Sequence, residues 1–487
     1  MLKLIYILIL ILILISCTTD PSDDMVSISG TVRLEGMTDH SGVEIALYRL
    51  ADIDPVILEK YTNYGIGVRI SQETEFDHRL QPYIRRMIEP TGADGRFSFT
   101  GLGSDNYILV FIREGYSLKY MRASKDMNVE MFKAIEMGNI VPESFIFESG
   151  RQYNFISRNT SISNVTVTIQ AGAILTVGVR NSITFNNAEI IVPSPLYIEP
   201  QFWWVTSSFG LDSFDSYQQL EIDMFFDSIH ISSTTEAVLS GAKITFINEG
   251  IRMSAPEVIV SNSYFNHSTN LFRFDRGRVV VRNVMNQDSR NSSFVMEVAN
   301  APTNNFIFVN NISHSNDFHS GSVNIELFHT DATIQNNYFR KNRLAIRTNL
   351  NKIYILNNEF NDNTASYDNR GSNSSIRENK FMGVRLREIV MRRSVGGIRA
   401  FGVVNRNNFH ERTRTLLSMG MDSDVSAIVM VQDNIDSSNN YFARPDVSTQ
   451  IRDRNRPGLE GLMFEFQITN RQDRAFTDIG IQRFFEN

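Results

Sequence analysis

Cysteine is almost missing from this chain: its 487 residues hold one, Cys17. A lone thiol cannot close an intrachain disulfide or build a multi-cysteine metal site, so stability must come from burial and hydrogen bonding. Tryptophan is nearly as scarce, with only Trp203 and Trp204. Charge of one sign is lacking too: a formal −7 over this length does not suggest nucleic acid as a partner. The apolar run at the start, Leu4 to Ile15, is twelve residues long. About twenty are needed to span a bilayer as a helix, whereas a secretory signal needs no more than this.

The opening MLKLIYILILILILISCTT places Cys17 directly after the apolar run and the small residue Ser16. This resembles the lipobox of bacterial lipoproteins. The resemblance implies that residues 1–17 are a signal, that Cys17 becomes the lipidated N-terminus, and that the partner of this end is a membrane of the cell envelope. Thr18 and Thr19 lack the Asp that holds some lipoproteins at the inner membrane, so the outer membrane is expected in a two-membrane cell.

After a polar tether, 18–25, the segment 26–125 alternates in "VSISGTVRL", "VEIALYRL", "GRFSFTGL" and "NYILVFIREGY". Period-two alternation broken by Gly and by Asp94-Gly95 predicts antiparallel strands joined by tight turns, hence a small β-sandwich. Its order resembles the carboxypeptidase-regulatory-like, or transthyretin-like, sandwich, with an insertion at 52–90. That resemblance implies a spacer. A connector, 126–159, follows.

From 160 to 470 the pattern changes. The decapeptides "TIQNNYFRKN", "YILNNEFNDN" and "SIRENKFMGV" begin 21 residues apart. Aligned on their final apolar residue, eight segments share the series Ser263, Asn283, Asn310, Asn337, Asn358, Asn379, Asn407 and Asn440. Repeats of roughly 20 to 30 residues mean stacked units. No leucine ladder or 3.6-residue period is present, and short β-branched runs such as "EVIV" and "RVVV" predict one strand-bearing coil per repeat. The recurring Asn is expected at a left-handed corner, with Phe339, Phe360 and Phe381 stacked inside. The region resembles right-handed parallel β-helix repeat proteins of bacterial surfaces, with "VTVTIQAGAILTV" as opening coil and "IDSSNNYFARPDV" as closing coil; 471–487 is a tail. The fold expected is all-β, a sandwich followed by a right-handed parallel β-helix of pectate-lyase-like type.

The sequence contains no set of residues from which a reaction can be named. Asn-Thr-Asp and Gly-His-Gly, typical of pectin hydrolases, are absent, and the Asp23-Asp24 pair sits in the tether. "RNRPGLEG" at 454–461 is a faint likeness to an arginine-proline motif of pectate lyases. His314, Asp317, His319 and His329 form the one histidine cluster, in a Ser/Asn-rich turn that collects such residues by chance. Asp422 and Asp424 read as surface loop, so calcium has no support and no cofactor is expected. Trp203 and Trp204 either form a carbohydrate platform or cover the side of the solenoid. Between 340 and 415 stand 16 basic and 6 acidic residues, a local +10. Arginine forks pair with carboxylate and sulfate, so Arg377, Arg385, Arg387, Arg399 and Arg406 are candidate ligands for an anionic polysaccharide. A binding or structural surface element is expected, and the alternative is a polysaccharide lyase.

Overall fold

The computed structural model describes residues 26–141, 143–193, 202–214, 221–297, 305–316, 322–349, 352–392, 401–410, 417–420, 439–443, 451–453 and 472–483. For 26, 297, 383–388, 390–392, 401, 417–420 and 451–453 it gives the backbone path alone. Cys17, with the expected signal and tether, lies outside the described residues, as do Asp317, His319, Arg399, Asp422, Asp424 and 454–461.

The chain forms two compact units. The first takes Met1–Ala51, Gln72–Lys133 and Asp212–Gln219. Its strands are β1 (Val26–Leu34), β2 (Glu44–Arg49), β3 (Arg86–Met87), β4 (Arg96–Leu102), β5 (Tyr107–Ile112), β6 (Lys119–Arg122) and β7 (Met127–Met131). They make a three-stranded sheet, β4-β1-β7, and a four-stranded sheet, β3-β2-β5-β6. Alternation carries Ile28, Val32, Phe97, Phe99, Leu109 and Phe111 into one shared core. The boundary expected at 125 is corrected: β7 pairs parallel with β1, from Gly30↔Met127 to Leu34↔Met131. The segment 52–90 is not one insertion either. Asp52–Ser71 belongs to the second unit, and only Gln72 onward returns to the first.

The second unit is a parallel β-solenoid. It begins at the strand Ile135–Met137 rather than at residue 160, because 135–155 already pairs coil to coil. Each coil contributes to three ladders, A, B and C in chain order. One coil is 242–247 on A, 250–254 on B and 257–261 on C. The alternation of each strand sends one set of side chains inward. Phe339, Phe360, Phe381, Phe409 and Phe442 stack there with centroids 4.8–5.1 Å apart and planes within 9° of parallel, as the repeat predicts.

The role of Asn needs correction. The corner from C to A does hold one left-handed residue per coil, but it is the residue before the expected one: Asn336, Asn357, Glu378, Arg406 and Asn439 have φ of 53° to 58°. Asn337, Asn358, Asn379, Asn407 and Asn440 follow it and are fully buried. Each of the first four donates its backbone N–H and its Nδ2 to Oδ1 of the next, at 2.8–3.1 Å. Each also donates Nδ2 to a carbonyl of the preceding coil, as Asn358 does to Ile334 at 2.9 Å. Asn283 and Asn310 are the left-handed residues of their coils (φ 52° and 58°), so their segments stand one residue out of step with the rest. In the ladder their places are taken by Val284 and Asn311.

Candidate functional site

The segment 52–71 forms a strap over the outer side of ladder A. Its helix α1 (Pro55–Tyr64) is capped by Asp54, whose Oδ1 accepts from Val56 N–H at 2.9 Å, and ends at left-handed Gly65. Ile57, Ile66 and Ile70 pack on Tyr264, Met285, Ile312 and Tyr338. Lys60 donates to both carboxylate oxygens of Glu359 at 2.9–3.0 Å and lies over the Tyr338 ring at 4.9 Å. Asp54 Oδ2 accepts from Arg340 at 2.5 Å. His314 is enclosed here too: Nε2 lies 2.8 Å from Gln287 Oε1 and Nδ1 3.0 Å from Ser315 Oγ. Burial, helped by the Arg340 guanidinium, lowers its pKa to about 4. Lys60, Glu359 and His314 are buried and each of these groups is already bonded to a neighbour, so the cluster serves to hold the strap.

Of the histidine cluster, the two described histidines, His314 and His329, do not come together. His329 sits at the corner between B and C with φ 51°, away from His314 on ladder A. Among the described residues, no group of three or more His, Cys, Asp or Glu is placed to hold a metal ion.

The tryptophan platform is corrected by burial. Trp203 is 1% exposed and Trp204 6%. Trp203 donates to Ser240 O at 2.8 Å and Trp204 to Thr245 Oγ1 at 3.0 Å, under the Lys243 ammonium. Neither presents a ring face to a sugar.

The arginines fall on different sides. Arg377 ends a strand of ladder C, beside Leu356 and Asn405, and is exposed. Arg406 occupies the corner from C to A, 3.4 Å from Glu378 and 2.7 Å from Asp478. Arg387 lies opposite Ala365 on ladder B, and a one-residue register shift separates that pair from Asn363↔Val384, so strict alternation through Arg385 is interrupted. The local +10 is also offset by carboxylates distant in sequence: Asp54 on Arg340, Glu326 on Arg347 and Asp478 on Arg406.

A more concentrated set lies earlier, at the corner from A to B. A tight turn there puts Phe246, His267, Asp288, Ser315, Lys341 and Asp362 in the left-handed region, at equivalent places of successive coils. Asp288 is half-buried, and desolvation raises its carboxyl to about 7. His267 stands one coil before it. Arg290, two residues on, lies over the Phe225 ring at 5.5 Å. On the adjoining strands of ladder B, His230, Arg252 and Arg273 are in register on successive coils, which spaces them by about 4.8 Å. Arg252 meets Asp275 at 2.7 Å. Guanidiniums so arranged match carboxylate or sulfate groups, and a carboxyl titrating near neutrality serves as either donor or acceptor. Sequence inspection missed this set because no short motif unites it. Its signal was the 21-residue interval repeated by Arg252 and Arg273 and by His267 and Asp288.

No helix among the described residues is long and apolar enough to cross a membrane. No protein-family model matches the chain, and no curated protein matches it. Among solved structures, the periplasmic alginate epimerase AlgG is similar, with a TM-score of 0.31 and 12% identity over 65% of this chain and 77% of that one. A mutant of the same enzyme gives a TM-score of 0.36 and 11% identity over the same shares.

Proposed function

We propose that this chain is a lipid-anchored cell-envelope protein that binds an acidic polysaccharide at the corner between ladders A and B. The observation that carries the reading is the register of Arg252 and Arg273 on ladder B, next along the coils from the corner that bears His267, Asp288 and Arg290, all within three coils. The solenoid is right-handed and pectate-lyase-like, as parallel crossovers favour, and the sandwich is a carboxypeptidase-regulatory-like spacer above the lipid on Cys17. Calorimetry of the full chain against uronate and sulfated polymers tests the binding. Exposed ion pairs weaken with salt, so affinity falls as ionic strength rises, and Arg252→Ala with Arg273→Ala abolishes it without moving Tm. Failure of the parent to bind any of these polymers overturns the reading. Loss of binding in Arg385→Ala with Arg387→Ala alone moves the site to the later coils. Cys17→Ser releases the chain from a carbonate-washed membrane fraction; retention there removes the anchor.

A second reading, a lyase, is favoured by the position of Asp288. A base such as His267 takes the C5 proton of a uronate, the electron pair forms the C4–C5 double bond, the C4–O bond breaks, and protonated Asp288 gives its proton to the departing oxygen. Ultraviolet absorbance of the unsaturated product reports it, with activity declining above pH 7 as Asp288 ionises. Binding with no new absorbance leaves the binding role alone.

A further inference from the structure

The outer face of ladder C is regular over seven coils, from Glu236–Ser240 to Asn373–Arg377. It presents three lanes. The middle one is mostly apolar: Val238, Ile259, Val280, Ile307, Thr333, Tyr354 and Ser375 are in register. Tyr354 is 38% exposed and the others are half-buried. The third lane is mixed: Ser240, Ser261, Arg282, Val309, Gln335, Leu356 and Arg377. The first lane is charged, in the order Glu236, Glu257, Arg278, Asn305, Asp331, Lys352, Asn373.

That order is complementary to its own reverse. About Asn305, Arg278 is the counterpart of Asp331 and Glu257 the counterpart of Lys352, while Glu236 faces the neutral Asn373. A two-fold axis parallel to the strands, through the coil of Asn305, performs this reversal: it keeps each lane opposite the same lane and inverts the order of coils. It brings Ile307 against Ile307 of a second copy, Val280 against Thr333 and Ile259 against Tyr354. In the third lane it sets Arg282 opposite Gln335 and Arg377 opposite Ser240. We infer that the outer face of ladder C is the interface of a two-fold symmetric dimer of this chain, with the sheets packed face to face.

Isologous contact of this kind closes on itself and makes dimers rather than filaments. Seven coils at about 4.8 Å and a strand width of about 17 Å give roughly 500 Å² per copy, or roughly 1,000 Å² in all, which is where specific association begins. The cross-coil pair of Glu257 with Arg278, at 2.5 Å, is about half exposed on each side, so both groups are placed to meet a partner as well. A patch of apolar residues rimmed by charge is the usual mark of a protein contact.

Sedimentation of the full chain across the micromolar range gives a monomer–dimer equilibrium if the inference holds. Asp331→Arg alone sets like charges opposite Arg278 and weakens the dimer roughly tenfold or more, and so does Arg278→Asp alone. The two changes together restore it, an outcome that a folding defect cannot mimic. Position is tested separately in a Cys17→Ser background, where the chain holds no other thiol. Ile307→Cys faces its own counterpart and is joined by a short bis-maleimide, whereas Val238→Cys, facing Ser375, is not. A chain that stays monomeric, an open series of larger oligomers, or a dimer indifferent to the charge reversals overturns the inference.

Discussion

At the scale of the residue, the two neighbouring asparagines of a coil have separate jobs, and substitution separates them. Asn357 holds the left-handed corner (φ 55°), so Asn357→Gly is nearly neutral in urea melts while Asn357→Val costs about 1 to 2 kcal/mol. Asn358 is extended into the ladder instead. Asn358→Ala takes away the Oδ1 that accepts from the backbone N–H and Nδ2 of Asn337, leaving that N–H without its acceptor, and the Nδ2 that donates to Ile334 O and to Asn379 Oδ1, all in a dry interior. A loss of roughly 2 to 5 kcal/mol is expected; equal melts for Asn357→Val and Asn358→Ala would refute the division. Phe360→Ala opens a gap between Phe339 and Phe381 and costs roughly 3 to 5 kcal/mol.

His314 makes stability depend on pH. Its neutral form fits the site, with Nε2–H donating to Gln287 and Nδ1 accepting from Ser315. The folded pKa, about 4, lies below the ordinary 6.5, so unfolding takes up a proton. The stabilisation is complete above pH 6.5 and is lost as pH falls toward 4, by about 3 kcal/mol. Chemical denaturation at pH 7 and pH 4.5 measures it, and His314→Gln flattens the acid side. Asp288 runs the other way: a raised carboxyl stabilises below pH 4 and the contribution is lost as pH rises through 7. Asp288→Asn therefore stabilises the protein at pH 8 and leaves it nearly unchanged at pH 4.

At the scale of the element, the strap depends on one buried ion pair. The side chains of Lys60 and Glu359 are 8% and 7% exposed. Removing one partner strands the other charge, so Lys60→Met costs about 3 to 5 kcal/mol, and Glu359→Gln a comparable amount. Lys60→Met with Glu359→Met replaces both by apolar groups and recovers most of the loss. A double-mutant cycle in urea reads the difference, and additive losses would show that the pair is not coupled.

At the scale of the whole molecule, the solenoid was legible because strand, corner and stacked Phe recur at near-equal intervals. The step of one residue was not, because two adjacent Asn in "NN" satisfy the same pattern and only hydrogen-bond partners from other coils tell Asn357 from Asn358. The strap was read as part of the sandwich because an amphipathic helix carries no mark of the surface that will cover it. The basic window misled for a similar reason: the carboxylates on Arg340, Arg347 and Arg406 come from residues 54, 326 and 478. The set around Asp288 was invisible for want of a motif, since ladder register alone assembles it.

The strap gives the solenoid an unequal resistance to force. A stack in which each coil touches only its neighbours unravels rung by rung from a loose end. Here one segment grips five successive coils, at Tyr264, Met285, Ile312, Tyr338 and Glu359. Drawn out by its last coils in an optical trap, the chain should lengthen in small steps until the rung of Glu359, halt there, and then yield the gripped block in a single larger jump. With Lys60→Met the halt should shift to lower force, and a smooth unravelling of the parent past that rung would show that the clasp bears no load.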